Sequence, residues 1–204
     1  MSNVQPSIVT GQERGERALR ALLEGNRRFA TGSPVGHVVT AARRAELVDA
    51  QEPIAVLLGC VDARVPPEVI LDQGVGDLLT VRTAGQSLAG VALGSIEFGV
   101  RVLGVPLVVV LGHSGCGAVL AAMGDHHGDG HLGQLTGEVA GRLTEVVGDD
   151  PVRATGANLQ ATVDALRSLD TLTTPDGPAF VVGLLYDLAS GEVTVADDGG
   201  LLSG

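Results

Sequence analysis

Aromatic side chains are nearly missing from these 204 residues, which hold no tryptophan, one tyrosine and three phenylalanines. Yet 45% of the residues are apolar, so the core has to be built from Val, Leu, Ile and Ala, a set that suits closely packed strands and helices. Cysteine is as scarce, and Cys60 and Cys116 are the only two. No apolar leader opens the chain, because its first thirty residues carry Glu13, Arg14, Glu16, Arg17, Arg20 and Glu24, and no secretory signal is visible. No apolar run reaches the length of a membrane span, since Gly, Pro or a charge interrupts each one. A cytoplasmic protein is expected, in which the two cysteines persist as thiols or thiolates rather than as a disulfide. Positive charge is also short. The formal net charge of −11 disfavours nucleic acid and anionic membrane as partners. No internal repeat and no linker divides the chain, so one domain over 1–204 is expected, with residues 1–30 as a tail and an arm helix.

The chain is organised around residues 54–68. Ile54–Leu58 is an unbroken apolar run that predicts a buried strand, and Pro66-Pro67 can open a helix, since proline suits the first helical turn. Cys60, Asp62 and Arg64 lie between them, at the carboxyl end of the strand, where open α/β sheets place their chemistry. Further strands are predicted at Leu78–Arg82, Leu107–Leu111 and Phe180–Tyr186, with Glu192–Ala196 as an antiparallel edge strand after the Ser190-Gly191 turn. Helices are predicted over Gln12–Ala30, Thr40–Asp49, Pro67–Gln73, Leu88–Leu103, Cys116–Met123, Leu135–Val147 and Ala157–Leu169. The 12–30 helix has an apolar face with no partner in the early chain, a face that could lie on a neighbouring subunit. Leu88–Leu103 is apolar nearly all round, which places it between layers or at a subunit interface. The fold class is α/β: a mostly parallel central sheet with flanking helices, an antiparallel edge strand and an N-terminal helical arm.

Cys60 after the first strand and His113-Ser114-Gly115-Cys116 after the third supply two thiolates and an imidazole. Strand ends converge in such a sheet, so these groups can meet. Two sulfurs and one nitrogen suit a soft or borderline ion, and three protein ligands leave tetrahedral zinc one open position. Any one of these residues alone reads as a buried small side chain or a satisfied core histidine, and Asp62–Arg64 alone as a structural ion pair. The five together, all at strand ends, point to a site. His126, His127, Asp129 and His131 form a second group with ligand chemistry, but in a polar glycine-rich loop (124–134) that holds nothing in place. Gly112–Gly117 has neither Rossmann spacing nor a P-loop lysine, which speaks against nucleotide binding.

The pattern Cys60-x-Asp62-x-Arg64 followed by His113-x-x-Cys116-Gly117 resembles the β-class carbonic anhydrases. The likeness includes Ala18-Leu19-x-x-Leu22-x-x-Gly25-Asn26-x-x-Phe29, Val81-Arg82-x-Ala84-Gly85 and Ser95-Ile96-Glu97-Phe98, and covers most of 12–123, more faintly to about 196. It implies zinc, one ion per chain, on Cys60, His113 and Cys116, with Asp62 and Arg64 as the catalytic dyad. It implies reversible hydration of CO2 to bicarbonate by a zinc-bound hydroxide that the dyad orients. In some members the aspartate matching Asp62 itself takes the fourth metal position. Gln51 resembles a substrate-binding glutamine, Leu79 a pocket-wall position, Phe98 an aromatic contributed across a dimer interface, and Gly117 a further substrate-side position. A homodimer or homotetramer is implied. Ala63 and Thr83 depart from the commoner Ser and Asn, and the segment after Met123 is short. Hydrolysis of CS2 or COS on the same fold, or a zinc-binding scaffold or sensor without turnover, are the competing readings.

Overall fold

The computed structural model describes residues 10–35, 40–124, 128–143 and 149–196. The strands are β1 (Ala55–Cys60), β2 (Leu78–Thr83), β3 (Leu107–His113), β4 (Thr173–Thr174), β5 (Gly177–Pro178), β6 (Phe180–Tyr186) and β7 (Val193–Ala196). Five of them form one sheet in the order β2-β1-β3-β6-β7, parallel throughout except for β7, which runs antiparallel to β6. This is the expected class. β4 and β5 make a separate two-stranded ribbon that the sequence reading left unassigned. From β1 the chain passes to β2 on one side, then crosses to β3 on the other. The crevice between the carboxyl ends of β1 and β3 is therefore the topological switch point, where open α/β sheets hold ligands.

The helices are α1 (Gly11–Ala30), α2 (Ala41–Glu46), α3 (Pro67–Ile70), α4 (Gly90–Glu97), α5 (Gly117–Ala122), α6 (Gly130–Ala140) and α7 (Pro151–Arg167). Every residue of β1 and β3 is buried, because both sheet faces are covered. On one face Leu57, Leu107, Val109 and Leu111 pack with Ala18 and Leu22 of α1 and Ile70 of α3. On the other, Val56, Leu58, Val108 and Val110 pack with Ile96 of α4 and with Leu159, Val163 and Leu166 of α7. A strand buried on both faces has no reason to alternate, which accounts for the continuous apolar runs.

Four expectations need correcting. The apolar face of α1 sits on its own chain rather than on a neighbour. Its partners, β3 and β6, come much later in sequence, so the face looked orphaned. The contact is close: a β-carbon on Gly25 would lie 1.9 Å from the carbonyl oxygen of Leu71. Asn26 donates to the carbonyls of Ile70 (3.0 Å) and Gly191 (2.9 Å) and accepts from Val193 N–H (2.7 Å). Next, the 88–103 helix starts at Gly90 and widens into a π-helical turn over Phe98–Val102. It is not enclosed within the chain: Ala92, Ile96 and Val100 face inward, whereas Val91 is 87% exposed and Phe98 and Val102 are exposed as well. Third, α6 begins at Gly130 rather than Leu135, and residues 144–147 of the expected helix lie outside the described residues. Finally, α7 begins six residues early. Asp150 caps it by accepting from Val152 and Arg153 N–H, and Pro151 takes the first helical position, an Asp-Pro start signal that apolar periodicity alone passes over.

Candidate metal centre

β1 ends at Cys60, and the next turn is closed by Asp62, whose Oδ1 accepts from the backbone N–H of Arg64 at 2.9 Å. Such aspartate turns stop a strand and fix the carboxylate at once. The Arg64 guanidinium then folds back on that carboxylate, Nε to Oδ1 at 3.0 Å and Nη2 to Oδ2 at 2.6 Å. This bidentate, charge-assisted pair holds the Asp62 carboxyl well below the ordinary carboxylate range. Arg64 Nη2 also lies 3.4 Å from the carbonyl of Gly115, which ties the first loop to the second.

After β3, the chain turns at Gly115 with φ +63°, a left-handed value that glycine adopts without strain. Ser114 anchors the turn to the end of β6: its N–H donates to Tyr186 O at 2.9 Å, and its Oγ accepts from Leu188 N–H at 2.9 Å. Cys116 follows as the residue that opens α5. The donor atoms of Cys60, His113 and Cys116 all lie within 4.8 Å of one another. All three residues are buried, His113 completely.

These residues fit a tetrahedral zinc ion. The two sulfurs are 3.9 Å apart, and a tetrahedral ion with Zn–S bonds of ~2.3 Å sets its sulfurs about 3.8 Å apart. His113 Nδ1 bonds the carbonyl of Ser114 at 3.0 Å, so Nδ1 carries the proton and Nε2 presents a lone pair. Among the described residues, His113 Nε2 is the buried side-chain nitrogen or oxygen that has no hydrogen-bond partner. A buried imidazole nitrogen left without a partner is destabilising, and a cation between the sulfurs satisfies it.

Between themselves the sulfurs share one proton. Donation from the Cys116 thiol outweighs burial and pulls Cys60 well below the usual thiol range. Cys116 is pushed up, first by donating to Cys60 and then by burial. The nearby N–H groups of Val119 and Ala118 act the other way and only partly offset this rise. The thiolate is the form that binds a metal.

Arg82, on β2 opposite Gly59, donates from Nε to the carbonyl of Cys60 (2.8 Å) and from Nη2 to that of Asp62 (2.6 Å). It fixes the Cys60–Val61 and Asp62–Ala63 peptides and so the spacing between ligand and carboxylate. The sequence reading quoted Arg82 in a motif without a role; its signal was a lone cation in an apolar strand.

The carbonic anhydrase family model matches residues 55–193, from the start of β1 into β7. The chain belongs to the β-class carbonic anhydrase family. It is 53% identical over 106 residues to carbonic anhydrase 2 of Mycobacterium tuberculosis, covering 52% of this chain and 51% of that protein. The aligned part thus spans about half the length of that relative. With a carbonic anhydrase of Pseudomonas aeruginosa it shares 30% over 174 residues, 74% of this chain and 76% of that one. Among solved structures, the β-carbonic anhydrase CafA of Aspergillus fumigatus superposes with a TM-score of 0.69 at 28% identity, over 89% of this chain and 92% of the other.

Not every residue that the resemblance pointed to meets at this centre. Cys60, Asp62, Arg64, His113 and Cys116 do. Asp62 is turned to Arg64, its Oδ2 4.0 Å from His113 Nε2, and it does not belong to the three-residue ligand group. Gly117 follows Cys116 as the first residue of α5. Gln51 precedes β1 and is exposed, at the opposite end of the strand from Cys60, about 17 Å away along β1 alone. Leu79 and Phe98 line a shallow hollow with Thr80, Val81 and Val91 that includes none of the ligands. Asp129 immediately precedes α6 and His131 lies within it, exposed; His126 and His127 lie outside the described residues.

Proposed function

We propose that this chain interconverts CO2 and bicarbonate at one zinc ion held by Cys60, His113 and Cys116. The observation that carries the reading is the unpartnered, fully buried Nε2 of His113, set between two sulfurs at tetrahedral spacing with a paired carboxylate 4.0 Å away. Zinc supplies Lewis acidity that makes water a nucleophile near neutral pH. The residues do the rest. Asp62, kept ionised by Arg64, can only accept a hydrogen bond. It takes the one offered by the attacking oxygen, which then presents a lone pair to the carbon of CO2. A protonated Asp62 would donate instead and turn that lone pair away. The proton released as water becomes bicarbonate passes to buffer.

Gln51 and Phe98 serve this reading only if a second copy brings them to the site. The exposed apolar run of Val91, Phe98 and Val102 beside the edge strand β2 supports a homodimer, with a homotetramer as two such pairs. Among the described residues no helix is long and apolar enough to cross a membrane, and two unlinked cysteines agree with a cytoplasmic place. Stopped-flow CO2 hydration on zinc-replete protein tests the proposal. A rate far above that of buffer is expected; a zinc-replete protein with no rate above buffer overturns it.

A further inference from the structure

We infer that Gln86, seated by Asn158 and Arg142, is a positioning residue for the metal ligand Cys60. The inference rests on the zinc reading of the Cys60–His113–Cys116 group. The turn after β2 runs Ala84–Gln86, and Gly85 and Gln86 are both left-handed, at φ +60° and +55°. A side chain larger than glycine at such a φ is strained by about 1 kcal/mol or more. It stays there only where its surroundings over-determine it.

They do here. Gln86 Nε2 donates to the carbonyl of Leu111 at 2.9 Å, two residues before His113 on β3. Asn158 Nδ2, from α7, donates to Gln86 Oε1 at 3.1 Å and to Gly85 O at 3.0 Å. Arg142 Nη1 donates to Gln86 O (3.2 Å), Asn158 Oδ1 (3.3 Å) and Thr162 Oγ1 (3.1 Å). The other Arg142 nitrogen pairs with Glu138, whose carboxylate also takes the Ser87 hydroxyl and, at 2.7 Å, the N–H of Leu88. Thr83 Oγ1 closes the turn on Ser87 O at 2.9 Å. Gln86 is 2% exposed and Asn158 1%.

This network holds the turn that directly follows Thr83, the residue paired with Cys60 across β1 and β2, and Gly85 lies against Ala118 and Val139, which pack with both cysteines. The network is braced on the strand that ends in His113 and on two helices, α6 and α7, that carry no ligand. An apolar core could fill the same volume without desolvating a guanidinium, a carboxylate and two amides. What the polar version adds is direction: hydrogen bonds to β3, and from α7 and Arg142, fix the turn in one place against the strand that carries Cys60.

The test uses zinc-loaded and Co2+-loaded full-length protein. Gln86→Met keeps length and volume but loses both side-chain hydrogen bonds. Asn158→Asp keeps the acceptor facing Arg142 and loses both donors to the turn. Val163→Ala, on the same helix and outside the network, serves as a control for lost packing. Both network variants are expected to shift the sulfur-to-Co2+ charge-transfer band and to weaken zinc affinity by about tenfold or more, read by chelator competition. Val163→Ala should lower the melting temperature and leave the band unmoved. If Gln86→Met does not fold, Asn158→Asp decides. Wild-type spectra and zinc affinity in the folded network variants overturn the inference, as does a band moved equally by Val163→Ala. Neither readout depends on CO2 turnover, so a protein that binds zinc and fails to hydrate CO2 would defeat the proposed activity alone.

Discussion

The two ends of the same strands could hardly differ more. At the carboxyl end, β1 and β3 deliver three buried donor atoms, a bidentate ion pair and two carbonyls clamped by Arg82. At the amino end, Gln51, Glu52 and Arg14 stand in or near solvent, and Arg14 pairs with Asp176 at a half-exposed site. Both ends are rich in polar groups and share one hydrophobic core. Only the first buries donor atoms, on Cys60, His113 and Cys116, and sets them against one another while Arg64 stays exposed, so the interactions among its buried groups are strong and mutually dependent. At the second, each group is separately solvated, and its pairing is worth little.

That difference can be tested in steps. The largest effect is expected for Cys116→Ser, which should take zinc content from about one ion per chain to almost none by elemental analysis; unchanged metal would abolish the distinction between the two ends. Next is Asp62→Ala, which should keep zinc and lose on the order of a hundredfold in CO2 hydration. A near wild-type rate in the zinc-replete variant would reduce the Asp62–Arg64 pair to a structural one. Gly25→Ala, away from the metal, forces a β-carbon onto a backbone oxygen and should cost about 1–3 kcal/mol or more of stability, measured by denaturant unfolding. Its folded fraction should retain full zinc content, whereas metal loss in step with stability would show the two regions to be coupled. Smallest of all, Gln51→Ala should lower kcat/KM by roughly two- to tenfold, the range of one hydrogen bond, with zinc unchanged. An effect that persists in an isolated monomer would contradict supply by a second copy.

What could be read in the sequence divides along the same physical line. The ligand loops were legible because Cys60, Asp62, Arg64, His113 and Cys116 interrupt apolar strands at positions where nothing but chemistry accounts for them. The strands themselves were legible because β1 and β3 are buried on both faces. The start of α6 was not, since Gly130 and Gly133 are poor helix formers and the helix there is imposed by packing against α5 and by Glu138. The docking of α1 was hidden because the surface it covers does not exist until β3 and β6 are in place. The buried network was hidden for a related reason: Gln86, Arg142 and Asn158 each look like surface residues of a turn or helix, and only the tertiary fold points them at one another.

Asn26 joins residues 70, 191 and 193 through a single side chain, and this has a consequence for the order of events during synthesis. Helix α1 leaves the ribosome well before its seat is complete, since β6 and the turn into β7 emerge some 165 residues after Asn26. At about 5–20 residues per second, Ala18 and Leu22 wait roughly ten to thirty seconds for the surface that will cover them. The closing contact of this protein is also one of its longest in sequence, which makes the docking of α1 a late and slow step. Through that interval the nascent chain displays an amphipathic helix to whatever else is at hand, including the same helix on a neighbouring nascent chain.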